Sequence, residues 1–307
     1  MRRAVIVTGL LVVGLSSGAF AQAPAPAGQP FKAGDPLKTT PNVKVFGSFR
    51  FSESLSYDAD RDLIVSVNAG MAQELVPNDG YVSLVNPDGS AHTLKWIGAT
   101  RNGLTLNHPL GSDIANGMLY VVDIDTVRWF DMKTGEPKGN VQVPGVIRFN
   151  DLEVAADGTM YATQTGTADA TSWKVYKITP QGQSSAIITG APLNRPNGIA
   201  FDLKGNLVVV NIGNNEVLTF SPDGKLLTTE NAVDGGNDGI VVTGDGTKYV
   251  SSVVQGTVSR IRPGQKAEIV ASGIPSAASM AYDSKRNRLL IPMNDWNAIA
   301  IVDLTAK

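Results

Sequence analysis

From Phe51 onward the chain restarts one phrase six times. A sequence that resembles itself at a near-constant interval is confined to repeat architectures. One form of the phrase is Asn197-Gly198-Ile199-Ala200-Phe201-Asp202, a turn at Lys204-Gly205-Asn206, then the apolar run Leu207 to Val210. Counterparts begin at Glu53 (ESLSYDADRDLIVSV), Asn150 (NDLEVAADGTMYAT), Asp238 (DGIVVTGDGTKYVSS) and Ala278 (ASMAYDSKRNRLLIP). A looser one begins near Leu110 (LGSDIANGMLYVVD). Each reads as two short strands joined by a tight Asp/Gly turn. A second strand-turn-strand half-phrase follows, as in GYVSLVNPDGS at Gly80 and EVLTFSPDGK at Glu216. Four short antiparallel strands per unit make a propeller blade.

The starts lie 40 to 57 residues apart, close to the blade repeat of about 40–50 residues. The longer steps carry insertions around Ala69 to Asp79 and around Gly166 to Ser172. The sixth unit stops after Ala298 to Asp303, before a fourth strand, while an apolar stretch from Val43 to Phe51 is left over at the other end. That stretch is expected to complete the last blade and close the ring, which would remove exposed sheet edges. The fold class read here is all-β: one six-bladed β-propeller over residues 43–307, with a two-domain β-sandwich as the alternative.

The first residues predict export through Sec. Arg2 and Arg3 supply a positive end, Ala4 to Gly14 an apolar run too short to span a bilayer, and Ala19-Phe20-Ala21 a small-x-small cleavage site. Residues 1–21 therefore read as a signal peptide, and the mature protein as periplasmic or secreted. Residues 22–42, rich in Ala, Pro and Gly, read as a flexible leader. After cleavage no segment suits membrane insertion, and a monomer is expected. The formal net charge of -2 offers no basic field for nucleic acid. With no cysteine, thiolate catalysis and Cys-ligated zinc are excluded. The two histidines, His92 and His108, are too few for a three-histidine zinc site.

One position in the phrase carries the chemistry. It holds Glu53, Leu110, Asn150, Asn197, Asp238 and Ala278. In a propeller the innermost strands surround the central channel, so these six residues are expected in one ring around the axis. Four bear a side-chain oxygen and none is Lys or Arg. Two carboxylates and two amides are the ligands of a hard cation. Without an ion, Glu53 and Asp238 would repel each other and one pKa would rise. The competing explanation is that Asn and Asp merely form turns before each inner strand.

These residues resemble the gluconolactonase, regucalcin and luciferin-regenerating-enzyme family of six-bladed propellers, over roughly residues 43–307. Its R-F-N-D motif is matched by Arg148-Phe149-Asn150-Asp151, its S/P-N-G-L motif by Pro196-Asn197-Gly198-Ile199, and its P-D-G motif by Asn237-Asp238-Gly239. The first-blade E-G-P motif keeps Glu53 but has Ser54-Leu55 in place of Gly-Pro. The resemblance implies that Glu53, Asn197 and Asp238 hold one divalent ion, Ca²⁺ first, with Zn²⁺, Mn²⁺ or Mg²⁺ tolerated. It implies that Asn150 binds the ion's water or the substrate and that Arg148 grips substrate oxygens. The implied activity is hydrolysis of a small-molecule lactone or sugar-derived ester, with Asp238 as general base. His108, in Asn107-His108-Pro109, is a further candidate, because paraoxonase-like lactonases and streptogramin lyases use channel histidines. The alternative to an enzyme is an NHL-like propeller binding a ligand or partner protein.

Overall fold

The computed structural model describes residues 37–47, 49–71, 75–98 and 104–305. These form six four-stranded antiparallel sheets arranged as blades. The innermost strands are Ser52–Asp58, Pro109–Ala115, Leu152–Val154, Pro196–Phe201, Asn237–Val242 and Ala281–Asp283, in blades 1 to 6. Each falls where the repeated phrase begins. The strand Val43–Gly47 pairs with the last one, Ala298–Asp303, in continuous register from Val43↔Val302 to Gly47↔Ala298. Blade 6 is thus completed from the opposite end of the chain. The ring also closes at its centre, where Leu55 N donates to Ser279 O at 3.1 Å and Ser279 N to Glu53 O at 3.2 Å.

Why the run Leu207 to Val210 is apolar without alternation follows from what lies on the two faces of its strand. Leu207 and Val209 pack with Tyr161 and Val175 of blade 3, whereas Val208 and Val210 pack with Ile240 and Val250 of blade 5. Successive side chains point to opposite faces, and here both faces are covered by a neighbouring blade. The buried residues accordingly form six clusters, one per blade–blade junction, including the closing junction where Leu55 and Ile64 meet Leu290 and Ile299.

Blades approach so closely at the axis that side chains are excluded. A Cβ at Gly198 would overlap the carbonyl oxygen of Asp238, and one at Gly239 would lie 2.7 Å from Met280 N. By contrast, a Cβ at Gly47 meets nothing within 4 Å. Gly198→Ala is expected to cost about 1–3 kcal/mol through overpacking, and Gly47→Ala close to nothing, as read from urea midpoints. Equal midpoints for the two variants would show that the blades do not meet as described.

The signal peptide read over 1–21 and leader residues 22–36 lie outside the described residues. The end of the leader is held by the propeller: Thr40 N donates to Ser272 O at 3.1 Å, and Asn42 Nδ2 to Val270 O at 3.1 Å and Asp303 O at 3.2 Å. Contacts with the propeller thus start before the expected boundary at 43, because these groups find partners on blades 5 and 6. Among the described residues no helix is long and apolar enough to cross a membrane.

Candidate functional site

The repeated position lies at the start of each inner strand, and the backbone there is irregular in a recurring way. Register shifts fall between Ser52 and Ser54, Pro109 and Ser112, Pro196 and Ile199, and Asn237 and Ile240. Glu53, Leu110, Asn197 and Asp238 are thus bulge residues, and a bulge re-aims a side chain out of the ladder. The turn explanation is displaced: Asn197-Gly198 and Asp238-Gly239 lie inside strands, and their glycines permit close approach between blades. In blade 3 the same place is held differently. Phe149 is fully buried between blades 2 and 3, edge-on to Tyr176 at 5.6 Å, and pins Arg148 and Asn150 on either side of it.

The four oxygen-bearing residues face one cavity. Glu53, Asn150, Asn197 and Asp238 line one cavity of about 490 Å³ at the mouth of the channel, together with Arg148 and His108. Asn197 Nδ2 donates to Asp238 Oδ2 at 3.1 Å. That bond leaves Asn197 Oδ1 and Asp238 Oδ1 buried with no hydrogen-bond partner. Buried polar atoms are normally satisfied, so two acceptors left bare on one hydrogen-bonded pair of residues mark a place for an electropositive ligand. Among the described residues no three His, Asp or Glu side chains cluster to hold an ion. A cation here must draw on amide oxygens as well as carboxylates, which suits a hard ion. The donor set fits one divalent cation.

Electrostatics agree with that fit. Burial is the main cause that pushes the Glu53 carboxyl up to about 7; Asn294 opposes it through a hydrogen bond, Asp151 adds to it, and the Arg148 guanidinium lowers it. Asp238 is raised well above the usual carboxylate range, first by burial and then by the charges of Glu53 and Asp151. The repulsion expected between Glu53 and Asp238 is present, but loss of water outweighs it.

Several supporting residues escaped the sequence reading. Asn294, in the loop after the second strand of blade 6, donates to Glu53 Oε2 at 2.7 Å. Asp151, the last residue of Arg-Phe-Asn-Asp, spans the channel: Leu152 N at 2.9 Å, Ser279 Oγ at 3.0 Å and Ile199 N at 3.4 Å donate to it. Burial pushes it up to about 7. Farther along the inner strands Asp113, raised to about 6 by burial, and Glu153, also raised, line a second cavity of about 220 Å³.

A polar residue also ends the second strand in blades 1 to 4 and grips the segment that leads into the ring. Asn68 Oδ1 accepts from Arg50 N, Asp123 Oδ1 from Asn107 N, Gln164 Oε1 from Ile147 N, and Asn211 Oδ1 from Asn194 N. The donor is each time three residues before the ring position. The signal was legible as one buried Asn, Asp or Gln at the end of each of these strands. Of the two histidines, His108 is buried and lines the cavity, its backbone N–H bonded to Asp123 Oδ1 at 2.8 Å, while His92 is exposed.

Comparison with known proteins places this geometry in context. Residues 82–292 match the profile of the SMP-30/Gluconolactonase/LRE-like region. No curated protein sequence matches. A gluconolactonase from Xanthomonas campestris superposes with a TM-score of 0.64 at 20% identity, covering 85% of this chain and 89% of that one. Virginiamycin B lyase from Staphylococcus aureus superposes at 0.62 and 12% identity, over 87% of this chain and 100% of that one. A luciferin-regenerating enzyme does so at 0.62 and 13%, over 86% and 97%. At such identities the likeness is one of fold.

Proposed function

The chain belongs to the SMP-30/gluconolactonase/LRE-like family, and on that premise we propose that it is a hydrolase opening a small-molecule lactone at the cavity of blades 1, 3, 4 and 5. The observation that carries this reading is the pair of bare buried oxygens, Asn197 Oδ1 and Asp238 Oδ1, in one cavity with Glu53 and Asn150. Glu53, Asn197 and Asp238 would hold a divalent ion, Ca²⁺ first, with Asn150 beside them. Such an ion supplies Lewis acidity toward the ester carbonyl and acidifies water.

The remaining work falls to the chain. Asp238 is the base that takes the proton of the attacking water, and a carboxylate whose proton affinity is raised by burial is suited to that. Asn197 fixes the Asp238 carboxylate through its Nδ2, and Asn294 fixes Glu53. Arg148 orients substrate oxygens with its fork of donors. With the first 21 residues read as a signal peptide, the reaction is assigned outside the cytoplasm.

The test is a pH-indicator screen of aldonolactones and related lactones with purified protein, before and after EDTA. Turnover that EDTA abolishes and Ca²⁺ restores is the expected result. Failure of every lactone, with no metal retained, would favour a ligand-binding propeller.

A further inference from the structure

A second ring lies two residues before the first: Phe51, His108, Arg148, Arg195, Gly236 and Ser276 in blades 1 to 6. Phe51, Arg195, Gly236 and Ser276 there have φ of 49°, 58°, 74° and 54°. Non-glycine residues adopt this left-handed conformation rarely, so its recurrence is a property of the blade. It turns the residue at the entrance of the inner strand. At Arg195 the conformation is bracketed by bonds from Asn194 N to Asn211 Oδ1 at 3.0 Å and from Ile212 N to Arg195 O at 3.0 Å.

The ring is uneven. Phe51 and His108 form an aromatic side, with ring centroids 6.3 Å apart. Gly236 and Ser276 contribute no large side chain on the other side, where Val254 packs against Gly236. Between them, on adjacent blades 3 and 4, stand Arg148 and Arg195, both lining the cavity. The other described arginines, Arg50, Arg61, Arg128, Arg260, Arg262, Arg286 and Arg288, each form an ion pair with Asp or Glu. Arg148 and Arg195 have no carboxylate within ion-pair reach among the described residues, and their guanidiniums make no hydrogen bond to these residues. Glu53, Asp238 and Asp295 line the same cavity but lie beyond ion-pair reach of either guanidinium, so two like charges on adjacent blades, unpaired where every other described arginine is paired, call for an anion. A guanidinium fork matches the paired oxygens of a carboxylate.

We infer that the substrate carries a permanent carboxylate, remote from the reacting carbonyl, which Arg148 and Arg195 hold together while its ring lies toward Phe51 and His108. This deepens the lactonase reading and rests on it for the reacting centre. Arg195 is then a specificity residue that no motif of the family resemblance marked.

The probes are glucarolactone and gluconolactone, which differ by a terminal carboxylate in place of a hydroxymethyl group. Binding is measured by calorimetry on EDTA-treated full-length protein, so that turnover is not needed. Glucarolactone is expected to bind about ten- to a hundredfold more tightly, as hydrogen bonds to a charged group allow. Arg195→Gln should remove most of that difference and Arg195→Lys keep part of it, and added salt should narrow it in the wild type. Equal affinity of the two lactones, or equal loss for both in Arg195→Gln, overturns the proposal. EDTA-sensitive turnover without the preference would defeat the anion site alone. The preference without any turnover would defeat the lactonase reading alone.

Discussion

Asp238→Asn is expected to lower kcat/KM for any lactone substrate by about a hundred- to ten-thousandfold, the range set by loss of a general base, and to weaken the divalent ion as well. The variant keeps the shape of the side chain and an acceptor for Asn197 Nδ2, which now donates to Asp238 Oδ2 at 3.1 Å. It replaces a buried carboxylate by a neutral amide, so the metal-free fold should be no less stable than the wild type. A fall in activity without a fall in the urea midpoint separates chemistry from folding. Near-wild-type turnover in Asp238→Asn would remove Asp238 from the mechanism.

Stability of the metal-free protein should decline as pH rises from about 4 to about 7. Glu53 and Asp151 are pushed up to about 7 and Asp113 to about 6, all chiefly by burial. A carboxyl whose folded pKa is raised holds its proton longer in the fold than in the unfolded chain. Its contribution is complete below the unfolded pKa and is lost as pH passes through the folded one. For Glu53, moving from 4.5 to about 7, that is about 3 kcal/mol at 1.36 kcal/mol per pKa unit. Groups shifted the other way, such as Asp283 beside Arg286 and Arg288, destabilise only at more acid pH. Ca²⁺ binds the ionised form, so it should stabilise strongly at pH 8 and weakly at pH 5. Urea midpoints at both pH values, with EDTA and with Ca²⁺, check this; a metal-free protein more stable at pH 8 would contradict it.

The blades were legible because both strands of each phrase leave a trace: a tight Asp/Gly turn and an apolar run whose two faces are both buried, as at Leu207 to Val210. Closure by Val43–Gly47 was legible because the last unit lacked a strand and the first residues supplied one. The ring was legible because a shared position in a repeat becomes a shared depth in a propeller, which is how Glu53, Asn150, Asn197 and Asp238 could be grouped across nearly two hundred positions. What the repeat did not disclose were contacts that break its symmetry. Asn294 reaches Glu53 from a loop of blade 6 that has no counterpart at the same task elsewhere. Asp151 ties blade 3 to Ser279 of blade 6, a meeting that depends on the width of the channel. The reason for the glycines after the ring position was not legible either, because sequence shows a missing side chain but not the neighbouring carbonyl that excludes it.

Everything chemical depends on a cation between blades 1, 4 and 5. The most direct measurement is an anomalous difference map from crystals grown with Mn²⁺. A peak is expected within about 2–2.6 Å of Asn197 Oδ1, Asp238 Oδ1 and a Glu53 carboxylate oxygen. A channel mouth without a peak at saturating Mn²⁺, or a peak held by other side chains, would contradict the account.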